Sequence, residues 1–227
     1  MTLTVVIPTL NEVENIGPRL RELAEMRVDE VIVVDGGSTD GTLERVRQSP
    51  AARLVQAERG RGTQLNAGAA LATSEVLLFL HADVRLPPDA PTHVMRTLDE
   101  PGVVAGAFRT WTLPEPGRRP LGPLLHLADL RSRYSSLPYG DQALFLRRAV
   151  LQQVGGVPEL PLLEDLTLSR RLAQLGTIRT CQARVKVSGR RFQARPFFYA
   201  AYMTVTPALA RVGVPIPTLA RLYGNVR

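Results

Sequence analysis

Acidic side chains end two apolar runs of the sequence. Asp35 closes the first run and precedes Gly36-Gly37, and Asp83 follows the second. A carboxylate before two glycines can accept hydrogen bonds from a base or a ribose, because the glycines let a ligand approach the backbone. A lone carboxylate beside phosphates is a usual ligand of Mg²⁺ or Mn²⁺, which keep positions open for phosphate oxygens and water. A turn-forming aspartate is the structural alternative at Asp35.

His81 stands two residues before Asp83, with Ala82 between them. On an extended segment, side chains two residues apart point the same way. His81 is therefore a candidate metal ligand or ribose contact, and its alternative interpretation is a cap at the strand end.

Basic residues precede one predicted helix. Arg59 and Arg61 flank Gly60, where a helix N-terminus could help them to neutralise a diphosphate. The alternative is a solvated pair of charges. A dinucleotide fingerprint is weakly supported, because Leu65 occupies the position of its third glycine.

Glu164-Asp165 opens another predicted helix. The helix dipole stabilises carboxylates at that end, so a structural role is one interpretation. The functional interpretation is a general base that removes a proton from a hydroxyl nucleophile. Because adjacent residues point in different directions, we expect only one of the two to face an acceptor.

The elements that must position these residues alternate along the first half of the chain. Apolar runs predict strands at 2–7, 30–35, 53–56 and 75–80, and helical periodicity predicts helices at 12–26, with Asn11 as cap, 42–48 and 63–72. Such alternation predicts a parallel sheet with helices on both faces. Ligands of these sheets bind beyond the carboxyl ends of the strands, where the polar clusters fall.

The second half is less regular. Strands are predicted at 103–109, 143–146 and 184–187, helices at 149–154 and 164–175, and a mobile loop at 112–123. The segment 197–222 is apolar, but it contains arginine and prolines and is not a clean membrane span. It could pack on the rest of the chain, form a homodimer contact or touch a membrane surface.

Composition restricts the function classes. The 227 residues suit one large α/β domain or two small ones, and Cys181 is the single cysteine, so no internal disulfide framework exists and a cytoplasmic location is the simpler assumption. The N-terminus does not resemble a signal peptide. The net charge is +7, with no acidic residue after Asp165. This charge suits diphosphates or anionic lipids, and no motif indicates a nucleic-acid partner.

Taken together, the clusters resemble the family 2 glycosyltransferases of the GT-A fold. The matching pieces occur in the family's order, and they are the segments 7–12, 34–42, 79–83 and 164–165, with Arg171 behind. The resemblance implies a Rossmann-like, mostly parallel α/β sheet with helices on both faces. It also implies a nucleotide-sugar donor and Mn²⁺ or Mg²⁺ as cofactor.

The same resemblance assigns roles to residues. It implies that Asp83 binds the metal and that Asp35 contacts the nucleobase of the donor. It also implies that Asp165 is the catalytic base, with Glu164 in support. The remaining donor-binding residues that it implies are Pro8, Thr9, Asn11, Glu12, Gly37, His81, Ala82, Asp141 and Gln142.

The sequence also departs from the family pattern. His81 replaces the first aspartate of the D-x-D motif, so the ribose or metal contact made there is in question. No Q-x-x-R-W motif is present, which argues against a processive polymerase; Arg190 and Arg191 offer diphosphate clamps instead. Short length and the segments 79–83 and 190–192 resemble a small bacterial subgroup labelled as arsenosugar-biosynthesis glycosyltransferases.

We therefore expect an inverting glycosyltransferase that uses a nucleotide-diphosphate sugar, with a UDP-sugar favoured, and an unidentified small-molecule or lipid-linked hydroxyl acceptor. The catalytic domain is expected at 1–195, with a nucleotide-binding half at 1–110, an acceptor half at 111–195 and a helical extension at 196–227. The alternatives are a catalytically silent nucleotide-sugar-binding protein and, ranked lower, a sugar nucleotidyltransferase. A location in the cytoplasm, with contact at the inner face of the membrane, completes the expectation.

Overall fold

The structure is a computed structural model that describes residues 1–114, 126–134, 137–189, 205–210 and 212–223. Its strands are β1 (Leu3–Thr9), β2 (Glu30–Asp35), β3 (Ala52–Gln56), β4 (Val76–Phe79), β5 (Val84–Arg85), β6 (Val103–Leu113), β7 (Phe145–Arg147) and β8 (Thr177–Ser188). Its helices include α1 (Val13–Glu25), α2 (Thr42–Arg47), α3 (Arg61–Leu71), α4 (Ala90–Leu98), α5 (Leu127–Tyr134), α6 (Arg148–Gln153) and α7 (Glu164–Ala173).

These strands form a mixed sheet in the order β3-β2-β1-β4-β7-β6-β8-β5. The pairs β1–β2, β2–β3, β1–β4 and β6–β8 are parallel, whereas β7 runs antiparallel to both of its neighbours and β5 runs antiparallel to β8. Because β7 reverses the direction twice, β6 and β8 end at the same edge of the sheet as β1, β2 and β4. The predicted α/β architecture is confirmed.

Two apolar layers cover the sheet. Val5 and Ile7 of β1 belong to the layer of α1 and α4, while Val6 belongs to the layer of α3, α6 and α7. Burial on both faces explains why β1, β2 and β4 read as continuous apolar runs. Close packing of α3 depends on Gly68, since a Cβ there would lie 2.3 Å from Val6 Cγ1.

The carboxyl half of β6 is bordered by a helix rather than a strand. β6 pairs with β7 as far as Gly106. Beyond that point Thr110 N donates to Ser132 Oγ (3.0 Å) and Thr112 N donates to Asp129 Oδ2 (3.0 Å), so α5 satisfies the free strand edge. The prediction of a loop from residue 112 was therefore wrong for the first two positions, which belong to β6; residues 115–123 lie outside the described ranges.

Some elements were not predicted from the sequence. These are α4, whose helical pattern is obscured by three nearby prolines, α5, the two-residue strand β5, and the first half of β8, which is longer than the predicted strand at 184–187. In the predicted C-terminal extension, residues 205–210 and Ile216–Tyr223 are helical. Among the described helices, none has the length and apolar character needed to cross a membrane. The predicted boundary at residue 110 falls within β6 and stays a prediction.

Candidate active site

An open cleft lies at the carboxyl ends of β1 and β4. It encloses about 480 Å³, including space that is continuous with solvent. Its lining residues come from β1 and the segment after it, from α3 and from the turn after β4, and they are Pro8, Thr9, Leu10, Glu12, Arg61, Gln64, His81, Ala82 and Asp83. Seven of these nine were predicted, and the cleft has the position expected for a ligand site of a parallel sheet.

The loop after β1 is hydrogen-bonded to the loop after β2. Asn11 N donates to Ser38 Oγ (2.9 Å), and Thr39 N donates to Asn11 Oδ1 (2.9 Å). Asn11 has φ 55°, and the helix starts at Val13 without a side-chain cap. The predicted helix cap at Asn11 was therefore wrong: its side chain joins the two loops instead, and Asn11 stands beside the cleft rather than on its lining.

Asp35 is fully buried at the end of β2. Its Oδ2 accepts hydrogen bonds from Gly37 N (2.8 Å) and Ser38 N (2.8 Å), and its Oδ1 contacts Ser38 Oγ and Thr9 Oγ1. The carboxylate thus holds the glycine turn in shape, with Gly37 at φ 95°. Neither Asp35 nor Gly37 is among the residues that line the cleft.

The segment His81-Ala82-Asp83 is a turn and not the extended segment that was predicted. Val84 N donates to His81 O (3.0 Å), which closes the turn, and both side chains still line the cleft. Asp83 is half-buried, and no described side chain donates a hydrogen bond to its carboxylate or forms an ion pair with it. This carboxylate is available to a ligand.

The donor set of this turn fits Mg²⁺ or Mn²⁺ that is bound together with a nucleotide. Within the described ranges, no group of three or more His, Cys, Asp and Glu side chains could hold an ion alone. Ions of this class often take one or two protein ligands and fill the other positions with phosphate oxygens and water. Asp83, with or without His81, matches that requirement.

Gln64 was missed by sequence reasoning, although it lines the cleft. It is almost completely buried on α3, and its Nε2 donates to Thr9 O (2.9 Å) and Val34 O (2.8 Å). These two bonds use both amide protons and tie the carboxyl ends of β1 and β2 together. A polar residue on an otherwise small-residue, sheet-facing helix was the available signal.

Arg61 and Arg59 differ in their positions. Arg61 is the first residue of α3, lines the cleft and donates from Nη1 to Glu164 Oε1 (2.7 Å), whose side chain is 1% exposed. Arg59 is exposed and does not belong to the cleft lining. The structure therefore brings Arg61, but not Arg59, to the site.

The two acidic residues of α7 diverge, as predicted. Glu164 contacts Arg61, whereas Asp165 Oδ2 accepts a hydrogen bond from Gly140 N (2.7 Å) and Oδ1 accepts one from Leu166 N (2.6 Å). Burial and the charge of Glu164 raise the pKa of Asp165 to about 6, although Arg61 and the two N–H donors act in the opposite direction. The residue before this pair, Leu163, has φ 59°, a strained conformation for a branched side chain.

Gly140 brings Asp165 and His81 to the same point. A Cβ on Gly140 would lie 2.8 Å from both Cε1 and Nε2 of His81 and 3.3 Å from Asp165 Oδ2. Only a residue without a side chain allows the imidazole and the carboxylate to approach each other in this way. The turn after β4 and the start of α7 therefore face one another across Gly140.

The other predicted residues near Gly140 differ in burial. Gln142 is fully buried, donates from Nε2 to Phe108 O (3.1 Å) and accepts from Tyr139 N (3.1 Å), so its amide supports the backbone and does not line the cleft. Asp141 is half-buried in the same turn. The predicted diphosphate clamps Arg190 and Arg191 lie outside the described residues.

Sequence comparison finds relatives among glycosyltransferases. Glucosyl-3-phosphoglycerate synthase of Mycobacterium tuberculosis is 34% identical over 95 residues, which cover 37% of this chain and 29% of that protein. Dodecaprenyl-phosphate galacturonate synthase of Rhizobium johnstonii is 31% identical over 107 residues, which cover 41% and 32%. The chain thus spans about a third or less of the length of these curated relatives.

Solved structures show the same fold. S. aureus TarS 1–349 superposes with a TM-score of 0.64 at 22% identity, covering 92% of this chain and 66% of that one. The M. tuberculosis glucosyl-3-phosphoglycerate synthase, crystallised with Mn²⁺, UDP and glucosyl-3-phosphoglycerate, gives 0.63 at 23% identity, covering 94% and 81%. The family model described as Glycosyl transferase family 2 matches residues 4–155. With two thirds of its length in that match, the chain belongs to glycosyltransferase family 2.

Proposed function

We propose that this protein is an inverting glycosyltransferase that moves a sugar from a nucleotide-diphosphate sugar to a hydroxyl acceptor. The observation that carries the proposal is the approach of Asp165 to His81 across Gly140, beside the cleft that His81, Asp83 and Arg61 line. Family membership and the relatives support it. A UDP-sugar is the favoured donor, because structural neighbours were crystallised with UDP, UDP-GlcNAc or UDP and Mn²⁺.

Asp165 is proposed as the base. The acceptor oxygen forms a bond to the anomeric carbon while the bond from that carbon to the diphosphate oxygen breaks, and Asp165 takes the hydroxyl proton. A pKa of about 6 suits this task, because the carboxylate is ionised at neutral pH yet more basic than an ordinary aspartate. Glu164 is proposed to support this base by keeping Arg61 beside it.

Charge on the leaving diphosphate is proposed to be neutralised by cations near the same cleft. Asp83 would hold Mg²⁺ or Mn²⁺, which supplies Lewis-acid stabilisation of the diphosphate when it is bound. His81 would serve as a second ligand or as a ribose contact. Arg61 lines the cleft and supplies a fixed positive charge from α3; the predicted contributions of Arg59, Arg190 and Arg191 remain predictions.

The acceptor is proposed to be a small molecule or a lipid-linked hydroxyl compound, with the chain in the cytoplasm or peripherally at the inner membrane face. A homodimer contact through 197–222 stays a prediction. The relatives named above do not carry the arsenosugar label, so the resemblance to that subgroup contributes nothing to the choice of substrate.

The proposal is tested by two substitutions, one expected to lower the rate of transfer and the other to weaken metal-dependent binding. Asp165→Asn should lower sugar transfer, or donor hydrolysis where no acceptor is known, by about 10²–10⁴-fold, the usual contribution of a general base. It should leave UDP affinity unchanged. Asp83→Ala should instead weaken the Mn²⁺-dependent part of UDP binding, as measured by calorimetry with and without Mn²⁺.

The matched control is Asp99→Asn, which removes an exposed carboxylate whose ion pair with Arg147 is long (3.9 Å). This variant should behave as the wild type in both assays. Full activity in the Asp165 and Asp83 variants would overturn the proposal.

A further inference from the structure

Beyond the cleft, the far end of the sheet exposes cations around the chain's single tryptophan. Trp111 of β6 pairs in register with Lys186 of β8, and Arg109 pairs with Arg184 two residues earlier on each strand. Trp111 is 38% exposed, and Arg184 and Lys186 are exposed too. We call these four residues, Arg109, Trp111, Arg184 and Lys186, the cationic patch.

The charges of the cationic patch are not compensated within the described residues. No described carboxylate forms an ion pair with Arg109, Arg184 or Lys186, and Arg109 Nε is buried without a hydrogen-bond partner. Arg184 lies over the Trp111 ring, with its Cζ 4.9 Å from the ring centroid. The neighbouring Arg85 differs, because Glu22 already neutralises it.

The cationic patch lies on the sheet face that carries the proposed base. Val84 and Val185 belong to the apolar layer of α1 and α4. Because side chains alternate along a strand, Lys186 points to the opposite face, the side that α3 and α7 cover further along the sheet. The patch is also near the metal candidate, since Ser188 N, two residues after Lys186, donates to Asp83 O (3.2 Å).

We propose that the cationic patch binds a phosphate group of a soluble acceptor and so orients the acceptor hydroxyl toward Asp165. This inference rests on the proposed function and names the class of its acceptor. Arginine guanidinium groups offer paired donors that match phosphate oxygens, and lysine adds a point charge. A dianion would supply the negative charge that compensates these cationic side chains.

The ring of Trp111 argues for a small anion rather than a lipid surface. His126 stacks on Trp111 with ring centroids 4.4 Å apart and an interplanar angle of 28°, and His126 Nδ1 is 2.7 Å from Asp129 Oδ2. With His126 stacked on it and Arg184 lying over it, the indole does not present a bare apolar face for insertion between lipids.

Trp111 also reports on the binding, because it is the chain's only tryptophan. Titration with glycerol 3-phosphate or inorganic phosphate should change its fluorescence in a saturable way, and glycerol should not. The double variant Arg184→Gln/Lys186→Gln should bind glycerol 3-phosphate at least tenfold more weakly. Loss of Arg184 can alter the fluorescence of Trp111 without any change in binding. Calorimetry with glycerol 3-phosphate therefore measures the affinity of this variant independently.

The matched control is Arg27→Gln/Arg53→Gln, which removes two exposed charges at the other end of the sheet and should bind as the wild type does. Equal binding by both double variants would overturn the proposal. So would a response confined to phosphatidylglycerol vesicles, which would make the patch a membrane contact, or one confined to UDP, which would assign it to the donor. UDP binding with Mn²⁺, measured separately, tests the proposed glycosyltransferase function independently of this patch.

Discussion

At the scale of single residues, the candidate site depends on three carboxylates that have different hydrogen-bond partners. Asp35 accepts hydrogen bonds from the turn after β2, Asp83 accepts none from a described side chain, and Asp165 accepts them from two backbone N–H groups beside Glu164. The sequence predicted all three positions, because each stands at an element boundary. It did not predict how their oxygens are used, which depends on the path of loops that are distant in sequence.

The raised pKa of Asp165 predicts a pH dependence of turnover. If Asp165 removes the acceptor proton, kcat/KM should fall on the acid side with a midpoint of about 6. Because the charge of Glu164 contributes to this shift, Glu164→Gln should move the acid limb to lower pH. An acid limb that does not move in this variant would contradict the assignment of Asp165 as the titrating base.

The same shift predicts a change of stability with pH. The folded pKa of about 6 lies above the ordinary aspartate pKa of 3.8, so the folded state binds the proton more tightly than the unfolded state. Ionised Asp165 therefore destabilises the fold, and its contribution becomes more unfavourable as pH rises from about 4 to 6. Asp165→Asn should raise the melting temperature more at pH 8 than at pH 4, as measured by calorimetry.

At the scale of elements, α3 links the two sides of the cleft. Gln64 holds the ends of β1 and β2, while Arg61 contacts Glu164 at the start of α7. Asn66 Nδ2 donates to Val157 O (2.9 Å), and Val157 N donates to Asn66 Oδ1 (2.8 Å). A Cβ on Gly62 would lie 2.3 Å from Pro158 O, so the loop before α7 packs directly on this helix.

Local pattern predicted α3 as a helix, starting near residue 63 instead of Arg61. It could not predict what the helix holds, because the partners of Asn66 are about 90 residues away. The same limit applies to Leu163, because its left-handed conformation at φ 59° is one that its own side chain disfavours. Strands buried on both faces, such as β1, were predictable because their composition alone identifies them.

Asn66→Ala tests the connection between α3 and α7, the helix that carries the proposed base. Loss of both bonds leaves Val157 N and O without these partners in a buried position, which should cost about 1–3 kcal/mol of the free energy of unfolding. We also expect a lower kcat with an unchanged affinity for UDP, because the loop before Glu164-Asp165 is loosened. Urea unfolding and steady-state kinetics measure the two effects.

Gln153→Ala removes an exposed amide from the last turn of α6 and is the matched control. It should change neither stability nor kcat by more than the error of measurement. An Asn66 variant that is destabilised but retains the wild-type kcat would show that the loop does not position Asp165.

At the scale of the whole molecule, the reversal at β7 explains why two halves share one functional edge. β7 runs antiparallel to both neighbours, so the ends of β6 and β8 return to the edge formed by β1, β2 and β4. His81, which follows β4, and Asp165, at the start of α7, approach each other there across Gly140. The alternation of strands and helices predicted the first half, whereas the mixed second half, with α4 and the long β8, became clear only from the three-dimensional pairing.

This arrangement predicts how ligands stabilise the whole molecule. UDP with Mn²⁺ should bind the folded state alone and raise its stability by about 2.7 kcal/mol at a hundredfold excess over Kd. For a domain of this size, each kcal/mol corresponds to about 2–4 °C in melting temperature. Asp83→Ala should abolish the increment that Mn²⁺ adds but retain that of UDP alone, since Pro8, Thr9 and Arg61 still line the cleft in this variant. Equal Mn²⁺ increments in wild type and variant would place the metal elsewhere, and a panel of UDP-, GDP- and dTDP-sugars in the same assay would identify the base from the largest shift.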